Sequence, residues 1–158
     1  MTIQDWFDKY AEHHQNPVNK AFHWICVPSI FFSLIGLLSL VSFDLDTNIM
    51  PFYLQEQMHL GTLLILFGLI FFYRLSPSIT IGMAILSALV LRGVTEMHRM
   101  EMNVFQVNLW IFSIAWIGQF IGHKIEGAKP SFLDDLKFLL IGPAWLLSFI
   151  YKRLGIKY

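Results

Sequence analysis

The sequence predicts an all-α, polytopic membrane protein: a bundle of about four transmembrane helices, with an N-terminal amphipathic helix and a C-terminal re-entrant or interfacial helix. Hydrophobic residues make up 56% of the 158 residues and charged residues 14%, whereas soluble domains usually have about 45–50% and about 25%. The apolar residues are concentrated in runs, several of them long enough to cross hydrocarbon. We expect one integral membrane domain over residues 1–158.

The segment from Thr2 to His14 has the pattern of a short amphipathic helix. Its apolar and aromatic side chains recur at helical spacing: Ile3, Trp6, Phe7 and Tyr10. The helix should end before Pro17, because a residue that precedes proline avoids helical backbone angles. We expect it to lie on the membrane surface or on the bundle.

Five apolar runs follow, at residues 24–43, 60–73, 75–91, 102–123 and 138–151. The second is short for a span unless Met58 extends it, and the third starts at Ser76-Pro77, a typical helix start. The fifth has only 14 residues and is interrupted by Gly142-Pro143, where we expect a break in the helix. We interpret it as a re-entrant or interfacial helix, and a fifth span is the alternative.

Loop charges predict the orientation of the bundle. Lysine and arginine occur before the first run, after the fourth and in the tail: Lys9, Lys20, Lys124, Lys129, Lys137, Lys152, Arg153 and Lys157. The loop at residues 44–59 has neither, although Arg92 and Arg99 depart from the pattern. Four spans with both chain ends cytoplasmic fit best. The net charge of zero gives no basic surface for nucleic acid, so we expect no nucleic-acid partner.

Three histidines are the candidate metal ligands. His14 and His23 precede the first run and His123 ends the fourth, so the four-span arrangement brings them to one membrane face. Neutral imidazole is the commonest metal ligand, and three imidazoles suit zinc or ferrous iron, between which spacing does not choose. Alternatively, each histidine only occupies a helix boundary. The chain must turn between the first two, and three intervening residues favour turns: Asn16, Pro17 and Asn19.

Other polar residues near these histidines have several interpretations. Gln119 lies four residues before His123, so it could orient the imidazole or form a helix–helix hydrogen bond. Glu126 could be a ligand, an acceptor behind the ligands, or a solvated cap. The four-span arrangement places His98 on the opposite face, and His59 in an acidic loop is expected to be structural or exposed.

Two stretches of the chain resemble the signatures of a family of small membrane proteins. The first contains Tyr10, His14, Asn19, His23 and Val27-Pro28. The second contains Gln119-Phe120, Gly122-His123, Glu126, Pro130, Leu133-Asp134 and Gly142-Pro143. The family was formerly a domain of unknown function and includes the fungal 2-hydroxy fatty acid dioxygenase of phytosphingosine breakdown. The resemblance spans nearly the whole chain.

The resemblance implies an Fe(II) enzyme that cleaves the C1–C2 bond of a 2-hydroxy fatty acid with molecular oxygen and yields an acid one carbon shorter, a fatty acid alpha-oxidation. His14, His23 and His123 would be its catalytic, iron-binding residues. Met97-His98-Arg99 matches an aspartate-histidine-arginine of the fungal members, which makes His98 a fourth candidate ligand. Around them, Asn19, Gln119 and Glu126 would support the ligands or contact substrate. Glu126 and Pro130 stand one residue closer to His123 than in the fungal members, so the second motif departs from the family pattern there.

The short chain suits a bacterial inner-membrane relative, or the endoplasmic reticulum membrane in a eukaryote, with the N-terminus and the metal site on the cytoplasmic side. Membrane lipid, the 2-hydroxy fatty acid and oxygen are the expected partners, and Lys20 or Lys124 could attract the carboxylate. Two other functions fit the residues. One is a non-enzymatic membrane scaffold or lipid-binding or transport protein, and the other is a zinc-dependent membrane hydrolase.

Overall fold

The computed structural model describes residues 1–43, 51–127 and 138–158. These residues form seven helices: α1 (Ile3–Ala11), α2 (Pro17–Leu38), α3 (Phe52–Gln55), α4 (Leu60–Leu75), α5 (Pro77–Arg99), α6 (Val104–Glu126) and α7 (Ile141–Leu154). The prediction of an all-α fold is confirmed. Helices α2, α5 and α6 are long and apolar enough to cross a membrane, and α4 is a shorter apolar helix of 16 residues.

Capping side chains determine where α1 and α2 begin. The Thr2 hydroxyl accepts a hydrogen bond from the Asp5 N–H at 3.2 Å, and the Asp5 carboxylate accepts from the Thr2 N–H at 2.6 Å. Asn16 caps α2 through its Oδ1, which accepts from the Val18 N–H at 2.8 Å, and Pro17 occupies the first helical position. The first long helix therefore starts well before the apolar run at residue 24. Asn19 consequently lies in α2, so its assignment to the turn was wrong.

Helices α2 and α6 pack antiparallel along their whole length. Near the start of α2, the Asn19 side chain lies against Gly122, which is near the end of α6. Near the end of α2, Gly36 lies against the Asn108 side chain, which is near the start of α6. A Cβ on either glycine would overlap the asparagine that faces it. These two close approaches require glycine, because any larger residue would push the helices apart.

Helices α4 and α5 complete an alternating bundle. Gly61, at the start of α4, contacts the Ile35 carbonyl near the end of α2. Ser39, just after α2, is hydrogen-bonded to His98 near the end of α5. Helices α2, α4, α5 and α6 thus run alternately between two ends of the bundle, as a four-span arrangement requires. We call the end with Ser39 and His98 the opposite end, and the end where α2 begins the histidine end.

Helix α7 does not run from one end of the bundle to the other. The Phe138 ring, just before α7, is 6.2 Å from the Trp6 ring, and the Tyr158 ring, after α7, is 5.8 Å from the Phe7 ring. Both flanks of α7 therefore lie on α1, as a re-entrant or interfacial helix predicts. The expected break at Gly142-Pro143 was wrong, since Pro143 lies in the first turn, where backbone N–H groups have no intrahelical acceptor.

The outer surfaces of the long helices are apolar. Exposed residues of α4, α5 and α6 include Leu66, Phe67, Ile70, Ile81, Ile85, Leu89, Ile114 and Ile117. A contiguous apolar surface of this kind is unfavourable in water and favourable against lipid. The apolar runs of the sequence thus supply both the packed interior and the lipid-facing exterior.

Candidate metal centre

Three buried histidines meet at the histidine end of the bundle. His14 follows α1, His23 lies in the second turn of α2, and His123 lies in the last turn of α6. Their exposed fractions are 3%, 1% and 4%, and one nitrogen from each lies within 4.8 Å of the others. Within residues 1–43, 51–127 and 138–158, no other group of three His, Cys, Asp or Glu side chains could hold an ion in this way.

Hydrogen bonds to the backbone fix the tautomers of His14 and His23. Nδ1 of His14 lies 2.6 Å from the Tyr10 carbonyl oxygen, and Nδ1 of His23 lies 2.9 Å from the Asn19 carbonyl oxygen. Because a carbonyl oxygen can only accept, both Nδ1 atoms must carry the proton and donate it. Each neutral ring is then left with a lone pair on Nε2, which is the form that binds metals.

The two Nε2 atoms lie 2.7 Å apart. Two lone pairs at this distance repel each other, so one ring must carry an extra proton or both nitrogens must bind the same cation. A protonated imidazole would be a charge in a site with almost no solvent access, which is costly without a counter-ion. A metal ion satisfies both lone pairs with neutral rings. The donor set therefore fits a bound divalent metal, as the sequence predicted.

Aromatic rings pack around the histidine cluster. The Tyr10 ring is stacked on the His14 ring with centroids 4.2 Å apart and planes 10° from parallel. The Trp145 ring of α7 is 5.6 Å from His14 and 5.1 Å from Tyr10. Trp145 was missed from the sequence, because nothing distinguishes it from its neighbours in an apolar run. Tyr10 appeared in the sequence as a residue of the amphipathic helix and of the first motif, without its stacking role.

Glu126 anchors the turn that carries His14. Its carboxylate accepts hydrogen bonds from the Gln15 N–H at 2.9 Å and from the Asn16 N–H at 2.9 Å. It also accepts from the Asn19 side-chain Nδ2 at 2.9 Å. Of the three interpretations of Glu126, the geometry favours an acceptor behind the ligands. Glu126 ties the end of α6 to the residues between α1 and α2, so it holds His14 and His23 in register with His123.

Asn19 and Gln119 are both buried beside the cluster. Asn19 has no exposed surface, and Gln119 is 7% exposed. Gln119 lines a small cavity of ≈ 20 Å³ together with Tyr10 and Trp116, enough for about one water. Its Oε1 has no hydrogen-bond partner among the described residues. That Gln119 orients His123 remains a prediction.

His98 does not join the other three histidines. Its Nε2 lies 2.9 Å from the Ser39 hydroxyl at the opposite end. Along α2, the 16 residues from His23 to Ser39 rise roughly 24 Å. The suggestion of His98 as a fourth ligand, which came from the family resemblance, is therefore wrong, and the loop charges had placed it correctly. His59 is also at the opposite end, where its Nδ1 caps α4 by accepting from the Thr62 N–H at 3.2 Å.

Comparison with known proteins agrees with the resemblance seen in the sequence. The family described as Mpo1-like: 2-hydroxy-palmitic acid dioxygenase Mpo1-like matches residues 1–154. The 2-hydroxy-palmitic acid dioxygenase MPO1 of Saccharomyces cerevisiae (strain ATCC 204508 / S288c) is 29% identical over 147 residues, which cover 90% of this chain and 76% of the relative. No solved structure matches the chain significantly. Pro130, Leu133 and Asp134 of the second motif lie outside the described residues.

Proposed function

The chain belongs to the Mpo1-like family, and from that membership we propose that it is a membrane-bound, iron-dependent dioxygenase of 2-hydroxy fatty acids. The reaction would cleave the C1–C2 bond and yield the acid one carbon shorter. The observation that supports this proposal most strongly is the histidine cluster, whose three buried nitrogens lie within 4.8 Å of one another. These histidines occur in segments that the family match includes.

His14, His23 and His123 would hold the ion. When bound, ferrous iron supplies the redox activity that oxygen chemistry needs and a Lewis acid for the carboxylate and 2-hydroxyl of the substrate. Zinc has no redox activity, so the dioxygenase name of the yeast relative favours iron over zinc. Three neutral imidazoles leave further coordination positions open for substrate and oxygen.

The protein's own contribution is orientation and the exclusion of water. The carbonyl groups of Tyr10 and Asn19 hold two imidazoles in the metal-binding tautomer before any ion arrives. Glu126 fixes the turn between them, and Tyr10 covers one face of His14. Because the cluster is almost fully buried, bulk water would be kept from the reacting atoms.

The substrate would lie with its acyl chain among lipid and its carboxylate at the histidine end. Lys9, Lys20 and Lys124 all lie at that end, which supports a cytoplasmic location for the site. In a bacterium the protein would reside in the inner membrane. Attraction of the carboxylate by Lys20 or Lys124 remains a prediction.

The test is to purify the protein in detergent without oxygen, measure its metal content, and then follow oxygen uptake with 2-hydroxypalmitate. We expect stoichiometric iron, oxygen uptake that requires the 2-hydroxyl, and an acid one carbon shorter in the product mass spectrum. Palmitate is the matched control substrate. Stoichiometric zinc without oxygen uptake would instead support a hydrolase, and absence of any metal would support a scaffold or lipid-binding protein.

A further inference from the structure

A groove lies on the surface between the start of α2 and the end of α7. Its volume is ≈ 550 Å³, and it is lined by Trp24, Phe149, Ile150, Lys152 and Arg153. This volume is in the range of small-molecule sites. We propose that the groove is a docking site for the carboxylate end of a long-chain fatty acid, from which the acid passes to the histidine cluster. The second half of this proposal rests on the proposed function.

The lining has the two chemistries that a fatty acid combines. Trp24, Phe149 and Ile150 form an apolar wall, against which a hydrocarbon chain loses contact with water. Lys152 and Arg153 supply positive charge at the rim, and among the described residues neither forms an ion pair with a carboxylate. A guanidinium can pair with a carboxylate through two parallel hydrogen bonds. An acid with one long chain complements both parts of the groove.

The groove is one side-chain layer away from the histidines. The Trp24 ring is 6.2 Å from the Phe149 ring, and the Phe149 ring is 4.8 Å from the Trp145 ring. Trp145 in turn is 5.6 Å from His14. Trp145 is 4% exposed, and its ring contacts both Phe149 of the groove and His14 of the cluster. A carboxylate that passes from the groove to the ligands would therefore pass beside this side chain.

The competing explanation is that Lys152 and Arg153 serve only the helix that carries them. Cations in the last turn interact favourably with the helix dipole, and they anchor helices at the membrane interface. Lys9 in the last turn of α1 and Arg74 in the last turn of α4 have that same position. Both are exposed, and neither lines the groove. They provide a control with the same change of charge.

The experiment measures palmitate binding to the purified protein, kept free of oxygen, by displacement of a fluorescent fatty acid. We expect the double variant Lys152→Gln/Arg153→Gln to weaken palmitate binding by about tenfold or more, as the loss of a charge-assisted pair implies. Lys9→Gln/Arg74→Gln should stay within about twofold of the wild type. Hexadecanol, which has the same chain without the charge, should bind equally to all three proteins.

Three results would overturn the proposal. In the first, palmitate binds the Lys152→Gln/Arg153→Gln protein as tightly as the wild type. In the second, palmitate binding weakens equally in both double variants, which would indicate general charge attraction. In the third, phosphatidylglycerol displaces the probe as well as palmitate does, which would indicate a site for anionic lipid. Palmitate lacks the 2-hydroxyl and oxygen is excluded, so the result is independent of catalysis. Lack of oxygen uptake in the wild type would count against the proposed function alone.

Discussion

The two ends of the bundle both contain histidines, yet they use them differently. At the histidine end, Nδ1 of His14 and of His23 is occupied by the backbone carbonyl four residues earlier, and Nε2 faces the other ring. At the opposite end, Nδ1 of His59 caps a helix. His98 donates to Ser39, because the Ser39 hydroxyl already donates to a backbone carbonyl. A histidine near an apolar run therefore indicates a metal ligand only when one ring nitrogen is left over from local hydrogen bonds and faces another histidine.

The two ends also share one kind of packing contact between α2 and α6, in which a glycine lies against an asparagine. Asn19 lies against Gly122 at the histidine end, and Asn108 lies against Gly36 toward the opposite end. Asn108 donates to the Val104 carbonyl of its own helix at 2.8 Å, whereas Asn19 donates to Glu126 of the other helix. The same close approach is thus purely a packing contact in one place and part of the ligand support in the other.

The largest effect should come from replacing a ligand. We expect His23→Ala to lose at least about 100-fold in metal affinity and all measurable oxygen uptake, because an essential nitrogen is removed. His98→Ala is the matched control at the opposite end, and it should retain metal and activity within about threefold, since it loses one neutral hydrogen bond. Metal analysis and oxygen consumption check both variants. Iron retention in the His23 variant would remove that residue from the site.

Glu126→Ala should have the next largest effect on metal affinity. Loss of the carboxylate leaves the Gln15 and Asn16 N–H groups without this acceptor, and we expect metal affinity to fall about 10–100-fold, as for other residues behind metal ligands. Glu56→Ala breaks the exposed ion pair with Arg99, whose N–O distance is 2.9 Å, and should leave both stability and metal affinity nearly unchanged. Competition with a chelator measures the affinities. Equal affinities in the two variants would contradict the anchoring role.

Alanine substitutions at Gly122 and Gly36 would distinguish a contact that only packs two helices from one that also supports the metal ligands. Gly122→Ala and Gly36→Ala should each lower the free energy of unfolding by about 1–3 kcal/mol, because the added Cβ overlaps an asparagine. Only Gly122→Ala should also weaken metal binding. Gly68→Ala is the control, since its Cβ would meet Leu140 at an ordinary 3.5 Å. Thermal unfolding in detergent gives the stabilities, and a loss of metal affinity in the Gly36 variant would argue against this division.

The smallest effect concerns pH. Burial, and secondarily the charge of His98, hold the pKa of His59 below its usual range. As the pH falls, His59 in the unfolded chain takes up a proton at about pH 6.5, whereas His59 in the folded protein does so only at a lower pH. Stability is therefore fully present above the pKa of the unfolded chain and is lost as the pH falls toward the lower folded pKa. His59→Asn keeps a capping side chain and should reduce this loss. Unfolding temperatures between pH 7.5 and pH 5 test it, and identical pH slopes in both proteins would refute it.

The sequence by itself determined the helical class, the approximate number of long helices and the convergence of three histidines. Run length against hydrocarbon thickness and the loop charges are local properties, so they can be read without coordinates. Ser76-Pro77 likewise marked the start of α5 correctly, because capping depends on adjacent residues.

Only the tertiary structure decided what depends on distances between remote segments. The exclusion of His98, the contact of Glu126 with the turn, and the place of Trp145 beside His14 all join residues far apart in the chain. The structure also decided where α2 starts, because Asn16 caps the helix and Pro17 begins it before the apolar run does. Hydrophobic runs tell which segments are buried or in lipid, but the direction of one imidazole nitrogen is set by the backbone and helices packed around it.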